Sequence, residues 1–239
     1  MAGVTDSCMD IDKYSTSYLH YYTLDIPVLL EKYLKQKPWQ TFAELGCGDG
    51  GLLYALNKTG YFKDKDVFAI DISRDRVNVA QKIDPSIKCF EDDVCHIKNI
   101  KDHYIDFLVS KQVIEHVLEE ESMLKEIARI LKNNGIVYFS TVYKKKFAWY
   151  FYRCNGRWVL DPTHIREYTN EKSLTDLFAG SGLKIVESKK TLFCFPLTDF
   201  ICKRMGLGRD AYKYKGMRFL RNFKIPIFGY YEWEMILTK

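Results

Sequence analysis

Apolar positions alternate along this chain between two spacings. From Ile26 to Leu34 (IPVLLEKYL) they recur at helical intervals, entered through Asp25 and stopped at Lys37-Pro38, where proline disfavours helix in the residue before it. A short apolar strand follows, Thr41 to Leu45, and runs directly into glycines. Further strands are expected at Val67 to Ile70, Ile87 to Phe90, Ile105 to Val109, Ile136 to Phe139, Lys184 to Phe193 and Phe228 to Thr238. Between them lie helical patterns beginning near Ser73, spanning Glu115 to Leu131, and running from Thr169-Asn170-Glu171-Lys172 to Phe178. Strands alternating with helices predict an α/β fold in which a parallel sheet is covered by helices.

Two stretches break the alternation. Residues 142–168 carry a dense aromatic and basic run, including Phe147, Trp149, Tyr150 and Trp158, followed by the polar segment Asp161 to Glu167; they are expected to form a substrate-side loop. Residues 194–227 form a basic and aromatic insertion between the last two strands. At this length one or two short helices are expected within it. Residues 1–40 are read as an N-terminal helical cover, and 1–239 as one domain, since 239 residues suffice for one substantial core.

Composition, 47% hydrophobic and 28% charged, fits a soluble globular chain and excludes disordered or multi-span classes. The start lacks the basic and apolar regions of a secretory signal, and no apolar run is long enough to span a bilayer. Seven cysteines without a C-x-x-C pair argue against a disulfide framework and a zinc cluster, so a cytoplasmic location is expected, with peripheral membrane contact left open. The net charge of +5 is local: eight basic residues against Asp210 between Ile201 and Lys224 outweigh a slightly acidic remainder.

The candidate chemistry begins at Glu44-Leu45-Gly46-Cys47-Gly48-Asp49-Gly50-Gly51, where the first strand ends and a helix can begin. Glycines there let the backbone turn and approach a ligand closely. Gly46, Gly48 and Gly51 satisfy G-x-G-x-x-G, and Asp71 ends the second strand where it could accept from ribose hydroxyls, so the constellation suits any adenosine-containing ligand. Glu44 needs a specific reason to occupy an apolar strand. Asp93 is placed to accept from an adenine amino group while Val94 packs on the ring, and Ser110 to Val117 set polar residues at the sheet's carboxyl edge.

Residues 41–141 resemble the core of the class I S-adenosylmethionine-dependent methyltransferases, in the broad group (methyltransferase types 11 and 12) that includes ubiquinone and menaquinone biosynthesis enzymes. The resemblance rests on E-x-G-x-G-x-G at Glu44 to Gly50, on Asp71 and Asp93, and on Ile114-Glu115-His116-Val117 against the family's L-E-H-V. Arg129 to Gly135 matches R-x-L-K-P-G-G, with Asn133 and Asn134 replacing proline and glycine. The resemblance implies a Rossmann-like seven-stranded sheet of order 3-2-1-4-5-7-6 with its last strand antiparallel. It also implies S-adenosylmethionine as cofactor, with Glu44, Gly46, Cys47, Gly48 and Gly50 near the methionine part, Asp71 and Ile72 at the ribose, Asp93 and Val94 at adenine, and Ser110 and Lys111 near the methionyl group. Tyr14 and Tyr18 of the N-terminal segment are further cofactor candidates, with core packing as their alternative.

Methyl transfer asks the protein for in-line positioning, exclusion of water and, for a protonated acceptor, a base. His164 and His116 are the catalytic candidates, each with a bracing role as the alternative. Arg166, Tyr168 and Trp149 are substrate-side candidates; Arg166 would meet an anionic group or pair with Glu167 or Glu171. No metal is expected, because H-E-x-x-H and a clear carboxylate cluster are absent from the sequence. The expected partner is a small-molecule or lipid-like acceptor, methylated on oxygen. An RNA or protein N-methyltransferase and a non-catalytic S-adenosylmethionine-binding regulator are the alternatives. Against nucleic acid, Ser110-Lys111-Gln112-Val113 stands where base-modifying enzymes carry N/D-P-P-Y/F. A homodimer and membrane contact through 194–227 are left open.

Overall fold

The computed structural model describes residues 22–150, 152–154, 156–205 and 214–239. Helix α1 (Val28–Gln36) packs Leu29, Leu30 and Leu34 inward and precedes the central strand β1 (Thr41–Leu45), buried throughout because it lies between two neighbours. Then follow α2 (Gly51–Lys58), β2 (Asp66–Asp71), α3 (Arg74–Ala80), β3 (Lys88–Glu91) and β4 (Ile105–Lys111). After a single 3-10 turn at Ile114–His116 come α4 (Glu120–Ile130) and β5 (Leu131–Lys144). The chain continues through the small hairpin β6 (Tyr152–Cys154) and β7 (Arg157–Val159), α5 (Glu171–Gly180), β8 (Lys184–Pro196), α6 (Leu197–Met205), α7 (Lys215–Leu220) and β9 (Lys224–Thr238).

The sheet order is β3-β2-β1-β4-β5-β9-β8. β1 to β5 are parallel, and β9 inserts antiparallel between β5 and β8. Counting β9 as the seventh strand of the main sheet and β8 as the sixth, this is the 3-2-1-4-5-7-6 order of the class I methyltransferase fold, as the sequence resemblance implies. Strand periodicity divides the core. Ala43, Leu45, Leu108, Phe139 and Trp233 face α4 and α5, whereas Phe42, Val67, Phe107, Tyr138 and Ile236 face α1 and α2.

Three local expectations change. The helix expected from Glu115 begins at Glu120, because residues 114–116 form a 3-10 turn and Arg166 ties the carbonyls of Ile114, Val117 and Leu118. The stretch from 142 is not loop throughout: β5 extends to Lys144, and β6 and β7 pair within it. Strand β9 begins at Lys224, four residues before the expected start, because Ile225 and Pro226 pair with Phe195 and Cys194 across a bulged hairpin. Cys154 is disulfide-bonded, while Cys47, Cys89, Cys95, Cys194 and Cys202 are free. Among the described residues no helix is long and apolar enough to cross a membrane.

Candidate active site

The glycine turn is held by backbone bonds before any ligand is considered. Gly46 and Cys47 N–H both donate to Ile70 O, at 2.7 and 2.9 Å, stitching the end of β1 to β2. Gly48 N–H donates to Asp71 Oδ2 at 2.8 Å, and Ser73 N–H to Oδ1 at 2.9 Å, so the acid at the end of β2 shapes the turn itself. Gly46, Gly48 and Gly50 all have positive φ, which favours glycine. A Cβ on Gly46 would lie 2.4 Å from Val113, and one on Gly50 2.3 Å from Ile83. Gly48 differs: the nearest atom, of Arg76, is 4.0 Å away, leaving an open face above the turn. Tyr22 closes one side, donating to Asp49 O at 2.7 Å and stacking on Tyr54.

Beneath that turn Glu44 is buried in β1, and among the described residues its Oε2 has no hydrogen-bond partner. Burial pushes its carboxyl up to about 8, the charge of Asp71 adds to this, and Lys111 opposes it. Ser110 Oγ, at the end of β4, is likewise buried without a partner among the described residues. These orphaned polar atoms beside an open glycine face fit a ligand with a cationic amine and a polar backbone, and the methionine moiety of S-adenosylmethionine has both. Asp93 is exposed with one oxygen on Cys95 N–H, Val94 is buried, and Ile72 is exposed, so these three surround the end of β2 and β3 where the resemblance sets ribose and adenine. Cys47 is buried, its thiol pushed up by burial, which leaves it an inert small side chain. Tyr14 and Tyr18 lie outside the described residues.

A second cluster forms where the loop after β4 meets residues 161–168. His116 and His164 rings meet edge to face at 4.9 Å. His116 Nδ1 is 3.0 Å from Thr163 Oγ1, and His164 Nδ1 is 2.9 Å from Glu167 Oε1. Burial and the charge of His164 lower His116 to about 4, so its imidazole is neutral. Burial works against the His164 cation too, yet the hydrogen bond to Glu167 and the charges of Glu115, Glu167 and Asp161 outweigh it and raise the group. Glu115, wholly buried, accepts from Thr141 Oγ1 at 2.9 Å and is pushed up to about 7 by burial. Glu115, His116 and His164 bring ligand atoms within 4.8 Å of one another, a donor set of a kind that can hold a divalent cation. Its donors come from two loops distant in sequence and match no local motif.

Arg166 braces this loop. Its guanidinium donates to the carbonyls of Ile114, Val117 and Leu118 and pairs with Glu120 at 3.3 Å, instead of Glu167 or Glu171. Tyr168 is buried, bonds Glu120 through its hydroxyl and bridges to Tyr143 in the backbone. Both therefore hold the site's frame. Trp149 is half exposed, edge-on to Trp158 at 5.8 Å.

Two groups escaped the sequence reading. Glu167 also accepts from Leu160 N–H at 2.6 Å and pairs with Lys144 at 3.3 Å, which makes it the hub of the His164 loop. Glu232 on β9, raised by burial despite Lys111, accepts from Ser140 Oγ at 3.5 Å on the sheet face that also carries Glu44. An acid inside an aromatic-rich strand was the available signal for Glu232. Gln112, strained at φ 56, donates to Ser140 O and lies between the two acids' strands.

The sheet order is that of the class I methyltransferase fold, and the chain spans less than two thirds of the length of the first curated relatives it matches. Residues 43–139 match the methyltransferase-domain family. The ubiquinone biosynthesis O-methyltransferase of Rickettsia typhi is 24% identical over 159 residues, 63% of this chain and 62% of that protein. Phosphoethanolamine N-methyltransferase 1 of Zea mays is 32% identical over 111 residues, 45% of this chain and 21% of that protein. The crystal structure of a SAM-dependent methyltransferase from Aquifex aeolicus superposes with a TM-score of 0.56 at 14% identity, covering 88% of each chain, a likeness of fold.

Proposed function

We propose that the chain transfers a methyl group from S-adenosylmethionine to an oxygen of a small-molecule or lipid-like acceptor. The observation that carries this reading is the meeting of two sites at one sheet edge. Gly46 of the donor turn packs on Val113, and His116 follows three residues later. Bound S-adenosylmethionine supplies a methyl group on a sulfonium and departs as a neutral thioether.

Glu44 and Ser110 would hold the methionine end, and the turn's open face at Gly48 would admit it. His116, neutral and the more accessible of the two imidazoles, takes the proton of the acceptor hydroxyl as the oxygen bonds to carbon. His164, anchored by Glu167, positions His116 and keeps it neutral. The likeness to the Rickettsia typhi O-methyltransferase supports an oxygen acceptor and a place among ubiquinone biosynthesis enzymes.

One observation favours an amine acceptor instead: the half-buried Glu232 and the buried Glu44 offer two carboxyls on the same sheet face against Lys111. The Zea mays N-methyltransferase points the same way. Incubation with methyl-labelled S-adenosylmethionine and panels of phenolic, carboxylic and phosphobase acceptors, with the product's methyl located by fragmentation mass spectrometry, decides between them. Calorimetric binding of neither S-adenosylmethionine nor its demethylated product would overturn both readings.

A further inference from the structure

The carboxyl edge of the sheet carries a second feature beside the site. Pairing with β5 stops at Lys144, opposite Tyr230, and β9 projects beyond it back to Lys224. The turn after β5 is fastened to this overhang. Lys145 N–H donates to Gly229 O at 2.8 Å, and a Cβ on Gly229 would meet Ala148 at 2.7 Å. Ala148, Tyr150, Leu160, Ile227 and Tyr230 fill the small core beneath. The turn's inward side chains are thereby used, and its others point away from the core.

Those others are large and apolar. Phe147 is 91% exposed and Phe228 77%, with Trp149 half exposed beside them. Ile225 on the overhang is also exposed, as are Phe219 of α7 and Phe223 just before β9, the two phenyl rings 5.6 Å apart. Single exposed apolar residues are ordinary, but a concentration at one end of the molecule marks a contact surface. Its charge is one-sided. Residues 142–160 hold five basic residues and no acid, and so do residues 211–229. Lys145, Lys146, Lys215 and Lys224 are exposed among the rings.

We propose that this edge docks on an anionic lipid bilayer, with Phe147, Trp149 and Phe228 entering the headgroup region and the lysines meeting acidic headgroups. A single-stranded nucleic acid would use such aromatics as stacking platforms along a charged groove. Here the rings stand at a turn tip and a strand overhang, with an aliphatic side chain among them, which suits insertion better than stacking. Docking in this orientation turns the edge bearing Glu44 and His116 toward the membrane, so an acceptor dissolved in the bilayer reaches the site without crossing water. The proposal stands whether oxygen or nitrogen is methylated.

The test is co-sedimentation of the full chain with phosphatidylcholine vesicles, with and without phosphatidylglycerol, at low salt. Binding is expected only when phosphatidylglycerol is present. The double variant F147S/F228S should lower the partition coefficient about tenfold, and K145Q/K146Q by about tenfold as well. Titration with S-adenosylhomocysteine should give unchanged heats in both variants, which establishes that they are folded. Absence of sedimentation with the anionic vesicles overturns the proposal. So does sedimentation indifferent to F147S/F228S, or displacement from vesicles by an RNA oligonucleotide whose own binding ignores those substitutions.

Discussion

Gly48 N–H donates to Asp71 Oδ2 at 2.8 Å, so the turn after β1 and the acid that ends β2 form one unit. Both oxygens of Asp71 are already engaged by backbone amides, the other by Ser73. Asp71→Ala leaves a buried and a half-buried donor unpaired and should cost about 2–4 kcal/mol of stability, while Asp71→Asn, which keeps one acceptor, costs less. Urea denaturation of the two variants measures the difference, and equal losses would mean that only side-chain volume matters at this position.

Gly50 and Gly48 should separate stability from binding. Gly50→Ala meets Ile83 and Ala80 and adds strain at φ 81, for an expected loss of about 2–3 kcal/mol. Gly48→Ala meets nothing nearer than Arg76, so its loss is confined to backbone strain of about 1 kcal/mol. Its new methyl nevertheless occupies the face left for the cofactor, and S-adenosylmethionine affinity should fall at least about tenfold, or about 1.4 kcal/mol. Denaturation and calorimetry on both variants check the contrast; normal affinity in Gly48→Ala removes the cofactor from this face.

Glu44 predicts a proton linked to binding. With its carboxyl pushed up to about 8 by burial and Asp71 against the opposing Lys111, it is mostly protonated at neutral pH. A cationic ammonium beside it favours the carboxylate, so binding of S-adenosylmethionine should release a proton near pH 7. Calorimetry in buffers of different ionisation enthalpy reads the release directly. In the free protein the sign is the reverse of a salt-bridged acid: a raised carboxyl stabilises the fold most at low pH, and this contribution is lost as pH rises from the ordinary carboxyl range toward 8. Glu44→Gln should abolish the proton release and weaken binding.

His164 is raised, so its contribution to stability is full below its unfolded value of about 6.5 and fades as pH rises through the folded value. The stability gap between the wild type and His164→Gln should therefore narrow between neutral and alkaline pH. A gap constant across that range would show that His164 and Glu167 do not form a charged pair. Turnover of His116→Ala should fall by about 100-fold or more with S-adenosylmethionine affinity preserved; unchanged turnover removes His116 as the base.

What was legible in the sequence was what is local. Glu44, the glycines, Asp71 and the strand–helix alternation act within short windows, where spacing translates directly into geometry. The His164 hub was half legible. His164 could be singled out, but Glu167 looked like a surface acid until the fold placed Lys144 and the Leu160 amide around it. The bracing contacts of Arg166 were hidden for the same reason, since its carbonyl partners lie about fifty residues away. Glu232 and Lys111 meet only because β9 returns beside β5, and nothing in either segment announces the other.

The position of β9 also governs assembly. Among the described residues β8 has no neighbour in the sheet except β9, yet it is completed some thirty residues earlier on the growing chain. Until β9 arrives, thirteen residues of strand have an unmet row of amides and carbonyls, an invitation to pair with another copy. Chaperone demand during synthesis should therefore concentrate on β8, and a chain ending before β9 should be lost to aggregation rather than persist as a smaller folded protein.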